Sequence, residues 1–166
     1  MTIRPGGPGD AKAVLDLFDE AVAWLVARGQ TGRWGTEPFS AFERRIERVR
    51  EWAGGEGLRI AEISGVPVGA LVLGSRPPWV EPAASPELYV EALVTSRSHA
   101  GQDIGAALIR RAVEETRAAG LTLLRVDCWA GAPPLVAWYE RQGFRRSGRF
   151  DVRGWIGQVF TMRLAR

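Results

Sequence analysis

The sequence predicts a mixed α/β domain: a central mixed β-sheet with helices on both faces. Three observations carry that expectation. A strand, a glycine-bearing loop, a helix and a further strand follow one another between residues 88 and 128, which calls for a parallel, right-handed crossover. Two helical periodicities precede a β-rich hairpin, and two more β-rich runs close the chain about a tight turn. With 166 residues, 46% hydrophobic and 25% charged, the chain is long enough for one domain, residues 1–166, around one core.

Taken in order, Thr2-Ile3-Arg4 reads as a short strand stopped by a Pro-Gly-Gly-Pro-Gly run. Val14, Leu17, Phe18, Ala21, Trp24 and Leu25 then recur at helical spacing, with Asp10 as the expected N-cap and Gly29 as the stop. Ser40-Ala-Phe-Glu43 has the capping-box pattern and should open a second helix through Ile46, Val49 and Trp52 to Gly54-Gly55. Residues 58–63 and 66–73 are β-rich runs joined by Ser64-Gly65, an antiparallel hairpin.

The proline-rich stretch 75–86 is a loop, and residues 88–95 form a strand apolar enough to be covered on both faces. Ile104, Leu108, Ile109, Ala112 and Val113 mark a helix that ends at Gly120, ahead of a strand over 121–128. Pro133-Pro134 can start a helix that Gly143 ends. Residues 144–150 and 158–164 finish as an antiparallel pair around Arg153-Gly154.

The composition narrows the function classes. A net charge of +3 is spread among nineteen carboxylates with no basic stripe, which argues against a nucleic-acid partner. The longest apolar runs, such as 69–74, fall far short of the ~20 residues of a membrane span. Cys128 is the only cysteine, so neither an intrachain disulfide nor a cysteine-based zinc site is expected, and a cytoplasmic location suits it. No metal is expected.

The segment "SRSHAGQDIGAALIRRA", residues 96–112, raises the first chemical question. A strand that runs through a glycine-bearing loop into a helix leaves unpaired N–H groups converging at a helix N-terminus, where the helix dipole adds about half a positive charge. Such a corner takes anions, and Gly101 and Gly105 allow the close approach it needs. On its own the segment could equally be an ordinary turn. "APPLVAWYERQGF", residues 132–144, supplies the context.

Together, "HAGQDIGAAL" and "WYERQGF" resemble the GNAT superfamily of acyl-CoA-dependent N-acetyltransferases, as does the order of elements along the chain. The resemblance implies a GNAT-like acyl-CoA N-acyltransferase fold with acetyl-CoA as cosubstrate. It implies that Gly101, Gln102, Asp103, Ile104, Gly105 and Ala106 hold the coenzyme pyrophosphate through their backbone amides. It also implies that backbone groups of Leu93, Val94 and Thr95 pair with the pantetheine arm, and that the Tyr139 phenol approaches the thioester sulfur. Three positions depart from the family pattern: Ala100 replaces Gln or Arg, Asp103 replaces a glycine, and Ala132 replaces an asparagine. A carboxylate near a pyrophosphate is repulsive, by ~1 kcal/mol for unit charges 4 Å apart in water. An aspartate, however, adopts positive φ more readily than most residues.

The implied reaction is direct attack of a primary amine on the acetyl carbonyl in a ternary complex, so a proton must leave an ammonium of pKa ~10.4. Glu91, an acidic residue interrupting the apolar run "YVEALVT", is the candidate base; pairing with an arginine is the alternative. Tyr139 is the candidate at the leaving thiolate, with plain aromatic packing as its alternative. His99 reads as loop packing and Cys128 as core. Trp34, Glu91 and Trp155 are candidates for contact with the acceptor, the two tryptophans because they fall in loops beside predicted elements. The resemblance also allows a homodimer. A catalytically silent acyl-CoA-binding module is the rival function, since the three departures all fall in coenzyme-binding positions.

Overall fold

The computed structural model of the protein describes residues 1–165. Its strands run in the order β1 (Thr2–Pro5), β2 (Leu58–Ile63), β3 (Val66–Gly74), β4 (Leu88–Thr95), β5 (Leu123–Trp129), β7 (Trp155–Arg163), β6 (Arg145–Val152), a mixed sheet as the sequence predicts. The chain forms two compact units, one of Met1–Val72 with Ala92–Leu108, the other of Leu73–Glu91 with the chain from Ile109 onward.

In the first unit β1 (Thr2–Pro5) pairs antiparallel with β2 (Leu58–Ile63), which pairs antiparallel with β3 (Val66–Gly74). Ser64 and Gly65 turn that hairpin with φ of 52° and 77°, the left-handed pair that matches the twist of the flanking strands. Two helices, α1 (Ala11–Ala27) and α2 (Glu43–Gly54), follow β1. Their Val14, Leu17, Phe18, Val22, Val49 and Ala53 form one buried cluster with Ala70 and Val72 of β3.

Strand side chains alternate, so Gly69 faces the other way. A Cβ there would lie 2.8 Å from Ile104 Cγ2 and 3.0 Å from Leu108 Cδ1, on the first turns of α3 (Ile104–Ala118). The first unit thus carries helices on both faces of its strands, and the missing side chain at 69 lets α3 sit close.

Asp10 stands at the N-cap position of α1, as expected, but both expected side-chain capping contacts are lost to a stronger partner. Asp10 makes no side-chain cap to α1. Its carboxylate takes the Arg4 guanidinium at 2.7 and 3.0 Å and the Gly7 N–H at 2.8 Å, while Arg4 also donates to Glu62 at 2.6 Å. A bidentate cation is a stronger partner than a neutral amide. Ser40 likewise donates its N–H and hydroxyl to the Asp19 carboxylate, at 2.8 and 2.5 Å. It therefore sits in a short 3₁₀ turn, and α2 starts at Glu43 behind Phe42 without a side-chain cap.

In the second unit β4 (Leu88–Thr95) contributes Leu88, Tyr89 and Val90 to a parallel ladder with Leu124, Arg125 and Val126 of β5 (Leu123–Trp129). That is the predicted crossover pair. β5 starts later than residue 121 because the Leu121 N–H donates to Thr116 O at 3.0 Å and closes α3. β7 (Trp155–Arg163) pairs antiparallel with β5 and with β6 (Arg145–Val152), and α4 (Pro133–Arg141) precedes β6. Arg153 and Gly154, with φ of 52° and 86°, close the last hairpin as a two-residue turn. Trp155, expected in a loop, is therefore the first residue of β7, opposite Val152.

A buried polar network crosses this unit. The Arg125 guanidinium meets Glu87 at 2.9 and 3.0 Å, and the Tyr89 hydroxyl donates to Asp127 at 2.5 Å. Burial, then the Asp127 charge, hold the Tyr89 phenol far above its ordinary range.

Candidate active site

The loop after β4 belongs to the first unit and is held from behind. Ser96 donates its N–H to Val68 O at 2.8 Å. Glu20, on α1, places one carboxylate oxygen where it accepts the Arg97 N–H, the Ser98 N–H at 3.1 Å and the Ser96 hydroxyl at 3.2 Å. His99 meets the Ser96 hydroxyl through Nδ1 at 3.1 Å, the loop-packing role expected of it. Nothing in the sequence pattern singled out Glu20, because its partners lie more than seventy residues away.

Beyond this anchor, Gly101 and Asp103 both take left-handed backbone, with φ of 84° and 55°. The aspartate at the family's glycine position thus adopts the conformation that glycine would. The Ala107 N–H is the first of α3 with an acceptor, Asp103 O at 3.0 Å. The N–H groups of Asp103, Ile104, Gly105 and Ala106 precede it and meet no acceptor among the described residues. Gly101, Gln102 and Asp103 are exposed, whereas Ile104 is buried and pins the turn. Four amides without an acceptor among the described residues, at the start of a fifteen-residue helix, suit an anion.

The last residues of β4 differ along their length. Val94 is buried in the core of the first unit, while Leu93 and Thr95 are half-buried. The parallel ladder to β5 ends at Val90 and includes none of residues 91–95. In the second unit, the half-buried Glu91 carboxylate lies against Gly74 of β3. A Cβ at position 74 would stand 1.8 Å from Glu91 Oε2, so the space this carboxylate occupies exists only because residue 74 has no side chain. Gly74 appeared in the sequence only as the end of an apolar run.

Tyr139 is buried in α4. Its ring stands edge-on to Trp138 and Phe144, with centroids 5.0 and 5.9 Å away, and tilted to Phe160 at 5.3 Å. Trp34, in the loop between α1 and α2, stands edge-on to Phe18 and Phe39 at 5.9 and 5.5 Å, so it packs on the core of the first unit. Trp155 stacks toward Phe150 at 5.9 Å in the second. Cys128 is buried, as expected. Among the described residues no group of three or more His, Cys, Asp or Glu is placed to hold a metal ion, and no helix is long and apolar enough to cross a membrane.

The model of the acetyltransferase (GNAT) family matches residues 19–144, a span that runs from α1 through the loop and α3 to the end of the Tyr139 motif. The chain belongs to the GNAT acetyltransferase family. No curated protein matches it. Solved structures share the fold of this GNAT acetyltransferase at low identity. A GNAT-family acetyltransferase from Listeria monocytogenes superimposes with a TM-score of 0.76 at 21% identity, over 98% of this chain and 94% of that one. The ribosomal-protein-alanine N-acetyltransferase of Brucella melitensis gives 0.69 at 21%, over 99% and 100%. The Salmonella typhimurium protein yncA, solved with its cofactor acetyl-CoA, gives 0.68 at 17%, over 100% and 95%.

The four unpartnered amides are donors that do not depend on side-chain identity, so Ala100, which offers no side-chain donor, leaves them in place.

Proposed function

We propose that this protein transfers the acetyl group of acetyl-CoA to the nitrogen of a primary amine, in one step within a ternary complex. The observation that carries this reading is the loop of residues 101–106, whose left-handed Gly101 and Asp103 leave the first-turn amides of α3 without an acceptor among the described residues, beside the exposed residues 101–103. Asp103, Ile104, Gly105 and Ala106 hold the diphosphate through main-chain N–H groups, with Gly101 and Gln102 completing the turn. Leu93, Val94 and Thr95 present main-chain groups to the pantetheine arm, a reading supported by a β5 ladder that stops at Val90. The bound thioester supplies an electrophilic acetyl carbonyl.

Glu91 accepts a proton from the acceptor ammonium, directly or through water. Glu91 is half-buried rather than sealed in the core. Tyr139 donates a hydrogen bond to the sulfur as negative charge develops on it. Full proton transfer from a phenol of pKa ~10 to a thiolate whose acid has pKa ~8.5 is uphill by ~2 kcal/mol, so the hydrogen bond suffices. Trp34 and Trp155 present aromatic surface toward the acceptor. The lone buried Cys128 suits a reducing cytoplasm.

The test is release of free thiol from acetyl-CoA across a panel of primary amines, followed by mass measurement of the product. An amine-dependent thiol signal and a product heavier by one acetyl group are expected. Coenzyme binding with no amine-dependent release would make the chain a silent acyl-CoA-binding module.

A further inference from the structure

The stretch after β4 is held by α1 at two points, one helical turn apart. Glu20 gives one carboxylate oxygen to three donors, the Arg97 N–H, the Ser98 N–H and the Ser96 hydroxyl. The two amides open the short 3₁₀ turn Arg97–His99, where Ser96 stands at the N-cap and makes no side-chain cap. Glu20 therefore caps that turn from another element. Four residues on, and so on the same face of α1, Trp24 takes the Arg97 side chain, whose guanidinium carbon lies 3.8 Å from the ring centroid. Arg28, at the end of the helix, stacks on the same residue at 3.8 Å and holds the indole in place.

The rest of the loop is held more weakly. Its own bonds are His99 N–H to Ser96 O at 3.2 Å, Gln102 N–H to His99 O at 3.3 Å and Ala100 N–H to Arg97 O at 3.4 Å, at or past the long end of the ordinary range. They still connect residues 96–98 step by step to Gln102, between the left-handed Gly101 and Asp103. A non-glycine residue at positive φ persists only where its surroundings over-determine it. Asp103, with φ of 55°, stands at the far end of this series, and the near end is the one that Glu20 and Trp24 hold. Every group in it belongs to the first unit.

A loop that must be ordered at the moment of binding takes that entropy from the affinity, and a loop ordered beforehand does not. We propose that Glu20 is a positioning residue for the coenzyme: with Trp24 it fixes residues 96–98, so that the loop over 101–106 keeps its diphosphate-binding shape before the coenzyme arrives. This rests on the acetyl-transfer reading above for its coenzyme alone. Glu20 touches groups of residues 96–98 and none of the four donor amides, so it sets affinity and leaves the chemistry at the thioester unchanged.

The variants are Glu20→Ala, Glu20→Gln and Trp24→Leu. They are compared with the wild type by calorimetric titration with coenzyme A, by thiol release from acetyl-CoA and by amide hydrogen exchange of the free protein. In Glu20→Ala the Kd for coenzyme A and the KM for acetyl-CoA should rise about 10- to 30-fold, the size expected from one hydrogen bond to a charged group. The kcat at saturating coenzyme and the KM for the amine should stay within about threefold. Glu20→Gln keeps an acceptor oxygen without the charge, so the loss should shrink to about three- to fivefold, and Trp24→Leu should fall between the two. Exchange at the Arg97 and Ser98 amides should quicken about tenfold in Glu20→Ala.

Coenzyme affinity within about twofold of wild type in Glu20→Ala, or a parallel loss in kcat and in KM for the amine, overturns the inference while acetyl transfer stands. If Glu20→Ala does not fold, the other two variants carry the comparison, and unchanged affinity in both overturns it. If coenzyme A binds but no amine releases thiol, the acetyl-transfer reading fails and the titrations still decide for or against Glu20. A wild type that binds no coenzyme A refutes both.

Discussion

Replacing Gly74 with alanine tests the base without touching it. The new Cβ would stand 1.8 Å from Glu91 Oε2, and ordinary contact begins at 3.4 Å, so the carboxylate must retreat by roughly 1.6 Å. It is the far end of a flexible side chain, so a rotamer change absorbs the clash at a cost of about 1 kcal/mol. The melting temperature should hence move by only a few degrees. Catalysis is more demanding. A base within hydrogen-bond reach of its proton loses that reach on a shift of this size, and about 100-fold in kcat/KM for the amine should go with it.

The assay is thiol release over a range of pH, beside thermal melts and coenzyme titration. Coenzyme affinity should stay within about threefold of wild type, since the proposed diphosphate donors are main-chain amides of residues 103–106. The double variant Gly74→Ala/Glu91→Gln should be no slower than Glu91→Gln alone, because both remove one function. Full activity in Gly74→Ala, or an additive double variant, would refute Glu91 as the proton acceptor.

Tyr139→Phe keeps a ring against Trp138, Phe144 and Phe160, so stability should hold within about 1 kcal/mol while kcat falls about 10- to 100-fold at unchanged KM for the amine; equal loss of stability and turnover would mean a packing role. Asp103→Gly removes a charge and relaxes a non-glycine φ of 55°, so coenzyme A should bind about fivefold more tightly and the protein should melt slightly higher; weaker binding would show that the aspartate helps.

At low pH the Arg4–Asp10 pair sets an acid limit. Hydrogen bonding from Arg4 holds the Asp10 carboxyl below its ordinary value, so its contribution is present above the carboxylate range and is lost as pH falls through the folded-state value. Melting curves from pH 7 to pH 2 should show Asp10→Asn less stable than wild type near neutrality, with the difference closing below about pH 4.

What could be read from the residues was local. Apolar spacing placed α1 and α3, Pro133-Pro134 and Gly143 bounded α4, the Ser64-Gly65 turn set the hairpin, and the strand–loop–helix run of residues 88–112 marked a candidate anion corner, because each depends on neighbours within a few positions. That an aspartate tolerates positive φ was readable from residue type, and Asp103 takes a φ of 55°. The capping contacts expected of Asp10 and Ser40 failed for the opposite reason. Asp10 and Ser40 can each cap a helix, but Arg4 and Asp19 reach them in the folded chain, and a charged partner outcompetes a neutral amide.

The same distinction separates the candidate site residues. Glu91 and Tyr139 stood out by type and motif, whereas the space Gly74 leaves for Glu91, the grip of Glu20 on the loop and the stack of Arg97 on Trp24 appear only once distant segments meet. Periodicity and turn chemistry are properties of a short stretch. Which polar group finds a partner, and which is left without one, is a competition among all groups that packing brings within about 3 Å, and only the tertiary structure decides it.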